Sequence, residues 1–205
     1  MSNVAELVAE LRNLMDGPIK RKVDSRIKEF ESVSDKFSEM CFCILTANSS
    51  AEMGIKIQKN LGNGFLNLSE DGLREELKKH GYRFPGRAEY ICANRKYKDI
   101  DRILSSFSDE RKAREWLVKN VKGFGYKEAS HFLRNIGYKN VAIIDRHILR
   151  AAERYGIIKE IPKNLNKKAY LEVEKKIEKV ANELGITLAE LDLYLWYMET
   201  GKILK

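Results

Sequence analysis

Apolar residues recur every three or four positions along most of this chain, which is the spacing of one helix face. The first such stretch runs from about Ser2 to Met15, with Val4, Leu7, Leu11 and Leu14 predicted as its buried stripe. No segment alternates apolar and polar residues as a half-buried β-strand does, and the chain contains no internal repeat. The pattern therefore predicts an all-α fold.

Two of the predicted helices stand out by their composition. The stretch FSEMCFCILTA, which follows a predicted N-cap at Ser34, is apolar almost all round and therefore predicts a helix buried in the middle of a domain. Ser49 and Glu52 can form a capping box for the helix that comes next. Thr187 and Glu190 form the same pattern at the start of TLAELDLYLWYMETG, the strongly apolar last helix.

The region from Asp109 to Ile136 predicts two helices joined by a sharp turn. Helical spacing stops at Lys122-Gly123-Phe124-Gly125 and resumes at Tyr126, so two glycines flank a tight hairpin. Such a hairpin directs its free backbone amides and the positive end of the second helix toward one point, where a phosphate oxygen can bind. A glycine turn between helices is a weak signal alone, and most are plain connectors.

The residues that follow make the hairpin more specific. Lys127 lies in the first turn of the second helix. Residues 141–144 (VAII) are too apolar for a surface loop and are predicted to be buried. Asp145 then stands where the N-cap of the next helix, RHILR, is expected.

The sequence GFGYK followed by IIDRH resembles the signature of the helix-hairpin-helix DNA glycosylase superfamily. The resemblance implies that Gly123 and Gly125 are the DNA-binding hairpin glycines, Lys127 the nucleophile and Asp145 the catalytic carboxylate. Their joint occurrence at this spacing outweighs the simpler readings of a solvated lysine and a capping aspartate. His147 is expected to contact a phosphate, and packing is its alternative.

The resemblance also implies a reaction. The Lys127 amine would attack C1′ of a nucleotide rotated out of the duplex, the base would leave, and the resulting imine would permit β-elimination. The amine must be uncharged, which the positive end of a helix in a cleft short of water favours. Asp145 would stabilise the positive charge that develops on the sugar.

Three further residues are candidates for contacts with the DNA or the base. In superfamily relatives a polar amide after the buried helix fills the space left by the base, and Asn48 matches it; a turn asparagine bonding its own backbone fits equally well. Phe84 precedes a proline, which predicts extended backbone and an exposed ring that stacks on the base. Trp196 is a candidate wall of the base pocket, with a core position as the alternative.

The length of the chain and its abrupt GKILK ending resemble the type 2 archaeal 8-oxoguanine DNA glycosylases, in which the terminal lysine reaches the base pocket. Guanine N7 is a bare acceptor, whereas 8-oxoguanine carries a hydrogen on N7. An acceptor is therefore needed for discrimination, and we expect the carboxylate of Lys205, or a nearby carbonyl, to supply it.

Composition limits the class of protein. The 205 residues are 43% hydrophobic and 33% charged, which is typical of a globular chain with one large or two small domains. No apolar run approaches the roughly 20 residues of a membrane span, and the amino terminus does not look like a signal peptide. We therefore expect a protein that stays inside the cell and has no membrane contact. The resemblance to archaeal enzymes implies a cytoplasmic protein of a prokaryote with nucleoid-associated activity. The net charge of +8 modestly favours a polyanionic partner.

The three cysteines, Cys41, Cys43 and Cys92, cannot form a paired framework and are interpreted as reduced core residues. Some superfamily relatives carry a four-cysteine iron-sulfur cluster near the carboxyl terminus, and the lack of any cysteine after Cys92 excludes it here. No metal or other cofactor is expected. The resemblance alone leaves open a monovalent cation at the hairpin carbonyls.

The resemblance further implies two helical subdomains with the helix-hairpin-helix motif at the cleft between them. We expect residues 1–30 and 138–205 to form a terminal helical domain, and residues 31–137 a central bundle that ends in the motif. The expected protein is a monomer that acts on double-stranded DNA containing a damaged base, as an 8-oxoguanine glycosylase and AP lyase. The alternatives are a superfamily enzyme for oxidised pyrimidines or other damaged bases, and a non-catalytic DNA-binding module that uses the hairpin as a phosphate clamp.

Overall fold

The structure is a computed structural model that describes residues 3–205. Its regular structure within that range is helical throughout, so the all-α prediction is confirmed. Ser2, the predicted start of the first helix, lies outside the described residues. No helix in the described range combines the length and apolarity needed to cross a bilayer. The helices are α1 (Asn3–Met15), α2 (Pro18–Glu31), α3 (Lys36–Thr46), α4 (Ala51–Leu61), α5 (Gly64–Asn67), α6 (Glu70–Lys79), α7 (Arg87–Asn94), α8 (Ile100–Leu104), α9 (Glu110–Asn120), α10 (Tyr126–Asn135), α11 (Arg146–Arg154), α12 (Lys167–Leu184) and α13 (Leu188–Thr200), with a short 3-10 helix at Arg95–Tyr97.

The chain divides into two compact units. The terminal unit contains the chain up to Ser32 and again from Leu133 to Lys205, and the central unit is Val33–Phe132. The dividing point near the hairpin lies inside α10, so the last residues of that helix belong to the terminal unit. The division expected from the sequence had its boundaries at 30/31 and 137/138.

In the central unit, α3 is the main buried element. Every residue from 39 to 46 is buried, which agrees with a helix that is apolar almost all round. Helices α4, α7 and α8 pack on it. Gly54 of α4 approaches α3 so closely that a Cβ there would lie 2.9 Å from both the Phe42 ring and the Thr46 methyl group. This contact fixes the turn between the two helices.

Two predicted helix caps are displaced by one residue. Helix α3 begins after Asp35, not Ser34, and the Asp35 carboxylate accepts a hydrogen bond from a first-turn amide at 2.9 Å. Helix α4 begins after Ser50, not Ser49, and the Ser50 hydroxyl accepts one at 3.1 Å. Adjacent capping residues were available at both places, and sequence spacing does not choose between such neighbours.

In the terminal unit, α13 packs on α2, α11 and α12, and α1 packs on α2 and α12. The buried face of α1 consists of Leu7, Val8 and Leu11, whereas Val4 and Leu14 of the predicted stripe are only partly buried. The predicted capping box at the start of α13 is confirmed, with both of its reciprocal hydrogen bonds present.

Candidate functional site

The turn between α9 and α10 is held by two side chains of α7. The Lys122 amide donates to Asn94 Oδ1 at 3.0 Å, and Asn94 Nδ2 donates to the Lys122 carbonyl at 2.9 Å. Gly123 has a φ of +92°, and a Cβ on it would lie 2.8 Å from the Tyr90 ring, so only glycine fits this turn. Sequence reasoning did not identify Asn94 as a site residue, because its partner is 28 residues away and no local pattern connects them.

Glu128 accepts a hydrogen bond from one of the hairpin amides that were expected to be free. Its Oε2 accepts a hydrogen bond from the Gly125 amide at 3.1 Å, which caps the start of α10. The expectation is therefore wrong for Gly125, because a carboxylate three residues further along can reach back to this amide. The Gly123 amide has no hydrogen-bond acceptor within residues 3–205.

Lys127 lies in the first turn of α10, as predicted, and its side chain is 27% exposed. Its Nζ lies 3.7 Å from Glu128 Oε1, its one ion-pair partner in the part of the chain that the structure describes. Adjacent residues on a helix do not face each other, which accounts for the long separation. One carboxylate oxygen of Glu128 therefore bonds the hairpin backbone, and the other lies near the Lys127 side chain.

Asp145, in the terminal unit, caps α11 with one of its two oxygens. Oδ1 accepts hydrogen bonds from the His147 amide at 2.8 Å and the Ile148 amide at 2.9 Å, which confirms the predicted N-cap. Oδ2 has no hydrogen-bond or ion-pair partner within the described range. A carboxylate held in this way keeps one oxygen for a cationic group.

Residues 141–144 are buried without being helical, as the sequence predicted. Helix α12 supplies partners for their backbone: the Tyr170 hydroxyl donates to the Ala142 carbonyl at 2.7 Å and accepts from the Ile144 amide at 3.1 Å. Glu174 Oε1 accepts from the Ala142 amide at 2.8 Å. These bonds satisfy buried backbone groups and fix the segment that leads into α11. Neither side chain was identified from the sequence, because both lie far along the chain from the groups that they bond.

His147 and Trp196 lie together where α11 packs on α13. Their ring centroids are 4.9 Å apart in an edge-to-face arrangement, so the histidine ring does pack, and its phosphate contact stays a prediction. Trp196 is only partly buried, but its Nε1 is covered and has no hydrogen-bond acceptor among the described residues. Because a buried donor without an acceptor is unfavourable, an acceptor on a bound molecule would stabilise this position.

The carboxyl-terminal segment follows α13 after Gly201 and lies beside α2. The Ile203 carbonyl accepts a long hydrogen bond of 3.5 Å from Arg26 Nη2. The segment and α2 line a groove of about 550 Å³, and Arg21 and Lys22 add positive charge to its wall. Lys205 is partly buried at the end of this segment.

Asn48 and Phe84 both lie at the carboxyl-terminal end of α3. Asn48 is exposed and has a φ of +54°, a left-handed conformation that asparagine tolerates better than most residues. Phe84 was expected to be an exposed ring because it precedes a proline, and this expectation is wrong. Phe84 is partly buried, with the guanidinium carbons of Arg83 and Arg87 at 5.3 and 4.9 Å from its ring centroid.

The three cysteines are free thiols. Cys41 and Cys43 are buried in α3, and burial raises the pKa of the Cys41 thiol well above its usual range. Cys92 is only partly buried, so its predicted core position is wrong, because it lies on a less covered face of α7.

Comparison with known proteins extends the resemblance over almost the whole chain. Residues 23–186 match the family model described as 8-oxoguanine DNA glycosylase. The 8-oxoguanine DNA glycosylase/AP lyase of Methanocaldococcus jannaschii is 52% identical, covering 97% of this chain and 99% of that protein. The protein of that name from Korarchaeum cryptofilum is also 52% identical, covering 98% and 99%. A crystal structure of the M. jannaschii enzyme with 15mer DNA containing 8-oxoguanine has a TM-score of 0.94 at 51% identity, covering 98% of this chain and 100% of that chain. The chain therefore belongs to the 8-oxoguanine DNA glycosylase family.

Proposed function

We propose that this protein is a bifunctional DNA repair enzyme that excises 8-oxoguanine and then cleaves the strand as an AP lyase. The observation that carries the proposal is the similarity, over nearly the full length, to proteins named for both activities. The relative solved with DNA containing 8-oxoguanine supports the same substrate. The protein acts as a monomer on double-stranded DNA in the cytoplasm of a prokaryote.

Lys127 is the nucleophile of this reaction. Its amine attacks C1′ of the extruded nucleotide, and the electrons of the breaking glycosidic bond leave with the base, which takes up a proton. Loss of the amine proton and opening of the sugar ring give an imine between Lys127 and C1′. Removal of a proton from C2′ then breaks the C3′–O bond and nicks the strand 3′ to the lesion. The partial exposure of Lys127 beside the hairpin supports this role, because substrate can reach its amine.

Asp145 stabilises the positive charge that develops on the sugar as the base leaves. Its Oδ1 is engaged by two backbone amides of α11, whereas its Oδ2 has no partner within residues 3–205. The amide bonds orient the carboxylate before substrate arrives, so little reorganisation is needed in the transition state.

The remaining predicted residues have roles in binding. The hairpin that contains Gly123 and Gly125 contacts a DNA phosphate through the Gly123 amide, and the His147 ring contacts another. Asn48 enters the duplex where the base has left. Phe84 and Trp196 contact the extruded base. The indole N–H of Trp196 is covered and has no acceptor among the described residues. This supports a contact between Trp196 and a bound base, which could supply the acceptor.

A monovalent cation at the hairpin would be held by backbone carbonyls, which are suitable donors for a hard ion. The Val121 carbonyl accepts one hydrogen bond from the Phe124 amide, and the Lys122 carbonyl accepts one from Asn94. Each carbonyl has two lone pairs, so both keep the capacity to bind an ion. Such an ion would hold the hairpin in shape, and no step of the reaction depends on it.

Borohydride trapping tests the proposal. Reduction during incubation with duplex DNA containing 8-oxoguanine should link the protein covalently to the DNA, and Lys127→Gln should abolish the link. Lys119→Gln is the control, since this lysine is an exposed residue in the last turn of α9. Absence of trapping would support the non-catalytic binding module, and trapping that survives Lys127→Gln would refute the assignment of the nucleophile.

The lesion is tested with a panel of duplexes that each carry one damaged base. We expect 8-oxoguanine to be excised fastest, and preferential release of oxidised pyrimidines would contradict the proposed substrate. Deletion of Lys205 should lower the rate on 8-oxoguanine while leaving cleavage at preformed abasic sites unchanged, because Lys205 is expected to take part only in base recognition. If the chain without Lys205 discriminates 8-oxoguanine from guanine as well as the intact chain does, Lys205 is not part of the base pocket.

A further inference from the structure

The carboxyl-terminal end of α3 is closed by two side chains from outside the helix. The last carbonyls of a helix have no partner within it. The Tyr82 hydroxyl donates to the Leu45 carbonyl at 2.6 Å, and Arg87 Nη1 donates to the Ile44 carbonyl at 2.7 Å. Arg87 Nη1 also donates to the Tyr82 hydroxyl at 2.9 Å, so the phenol and the guanidinium act on α3 as one unit.

The same arginine holds Phe84. Its guanidinium carbon lies 4.9 Å from the centroid of the Phe84 ring, and the Arg87 amide donates to the Phe84 carbonyl at 3.0 Å. The ring of Tyr82 contacts the Phe84 ring edge-to-face, with centroids 6.1 Å apart. Both residues that close α3 therefore also fix the position of this aromatic ring.

The position of Asn48 depends on the same helix end. It lies two residues after α3 ends at Thr46, in a turn closed by a hydrogen bond of 3.0 Å from the Ser49 amide to the Thr46 carbonyl. The left-handed backbone of Asn48 and the close approach of Gly54 to α3 leave this turn little freedom. A shift in the last carbonyls of α3 would consequently move the Asn48 side chain.

We propose that Arg87 is a positioning residue that holds Phe84 and Asn48 at a fixed spacing, so that both can act when the damaged base is extruded. This inference rests on the proposed function, in which the ring stacks on the extruded base and the amide fills the space left behind. Both contacts must form in the same event, so a fixed spacing between the two side chains favours the productive geometry. A guanidinium suits this role because its edge donates to carbonyls while its face stacks on a ring.

The test compares Arg87→Met with a matched variant, Arg95→Met. Arg95 uses the same chemistry in the same unit, donating to the Phe65 carbonyl at 2.8 Å and the Leu68 carbonyl at 2.5 Å. Two single-turnover rates are measured: excision of 8-oxoguanine from duplex DNA, and strand cleavage at a preformed abasic site in single-stranded DNA. The second reaction needs neither base stacking nor the filling of a gap in a duplex.

Arg87→Met should lower the duplex excision rate about tenfold or more, the size expected when one base–aromatic stack is lost, and leave the single-strand rate within about twofold. Arg95→Met should leave the ratio of the two rates unchanged. If Arg87→Met does not fold, Tyr82→Phe removes only the shared hydroxyl and should lower the same ratio to a smaller extent. Equal loss of both rates, or an unchanged ratio in the Arg87 and Tyr82 variants, would overturn the inference. Failure of the unmodified protein to excise 8-oxoguanine would instead overturn the proposed function.

Discussion

Substitution of Asp145 can separate its proposed chemical role from its structural role as a helix cap. Asparagine is as good an N-cap as aspartate, so Asp145→Asn should keep the two hydrogen bonds to the α11 amides. Asp145→Ala loses both bonds, which should cost about 1–2 kcal/mol of unfolding free energy. For a chain of this size, each kcal/mol lowers the melting temperature by about 2–4 °C. The asparagine variant should therefore melt close to the unmodified protein, and the alanine variant several degrees lower.

Catalysis should respond differently from stability. Both variants lack the negative charge, and loss of one group that stabilises transition-state charge typically lowers the rate about 10²- to 10³-fold. We expect similar losses in single-turnover excision of 8-oxoguanine by the asparagine and alanine variants, although only the alanine variant is destabilised. Thermal unfolding and the excision assay are run on the same preparations.

Asn166→Ala provides the control for a lost helix cap in the same unit. Its Oδ1 accepts a hydrogen bond from the Ala169 amide at 3.0 Å at the start of α12. This variant should lose a comparable amount of stability and keep its activity. Excision by Asp145→Asn at the unmodified rate would show that Asp145 serves only as a cap, and would refute the assigned role.

Two further predictions concern the hairpin and the core. Gly123→Ala should lower the unfolding free energy by roughly 1–3 kcal/mol, because an alanine would have to adopt a φ of +92° with its Cβ against Tyr90. Gly125→Ala should lower it less, since Gly125 does not have a positive φ. Equal melting temperatures for the two variants would contradict this prediction. Burial is the main cause that raises the pKa of Tyr194 to about 12, whereas an unfolded tyrosine ionises near pH 10. The contribution of Tyr194 to the unfolding free energy is therefore fully present below about pH 10 and is lost as the pH rises towards 12. Between these pH values the urea midpoint should fall more steeply for the unmodified protein than for Tyr194→Phe.

Local sequence patterns predicted the main helices and the site residues whose position depends on their own helix. Asp145 was identified as an N-cap because a capping residue directly precedes an amphipathic run, and Lys127 followed from the point at which helical spacing resumes after the hairpin. The short helices α5 and α8 were missed, since four or five residues do not establish a period. Long-range anchors were missed for a different reason: Arg87 bonds a carbonyl 43 residues away, and nothing near it in the sequence specifies that partner.

Two of the expected site residues share a feature, which is that neighbouring groups restrain each of them. Asp145 is held by the amides of its own helix, and Phe84 is held by Arg87. Restraints of this kind reduce the reorganisation needed when charge develops or a base is stacked, and that reduction lowers the barrier. It follows that variants which preserve the restraint and remove only the reacting group should remain folded and lose activity, whereas variants of the restraining residues should weaken activity with the reacting group still present.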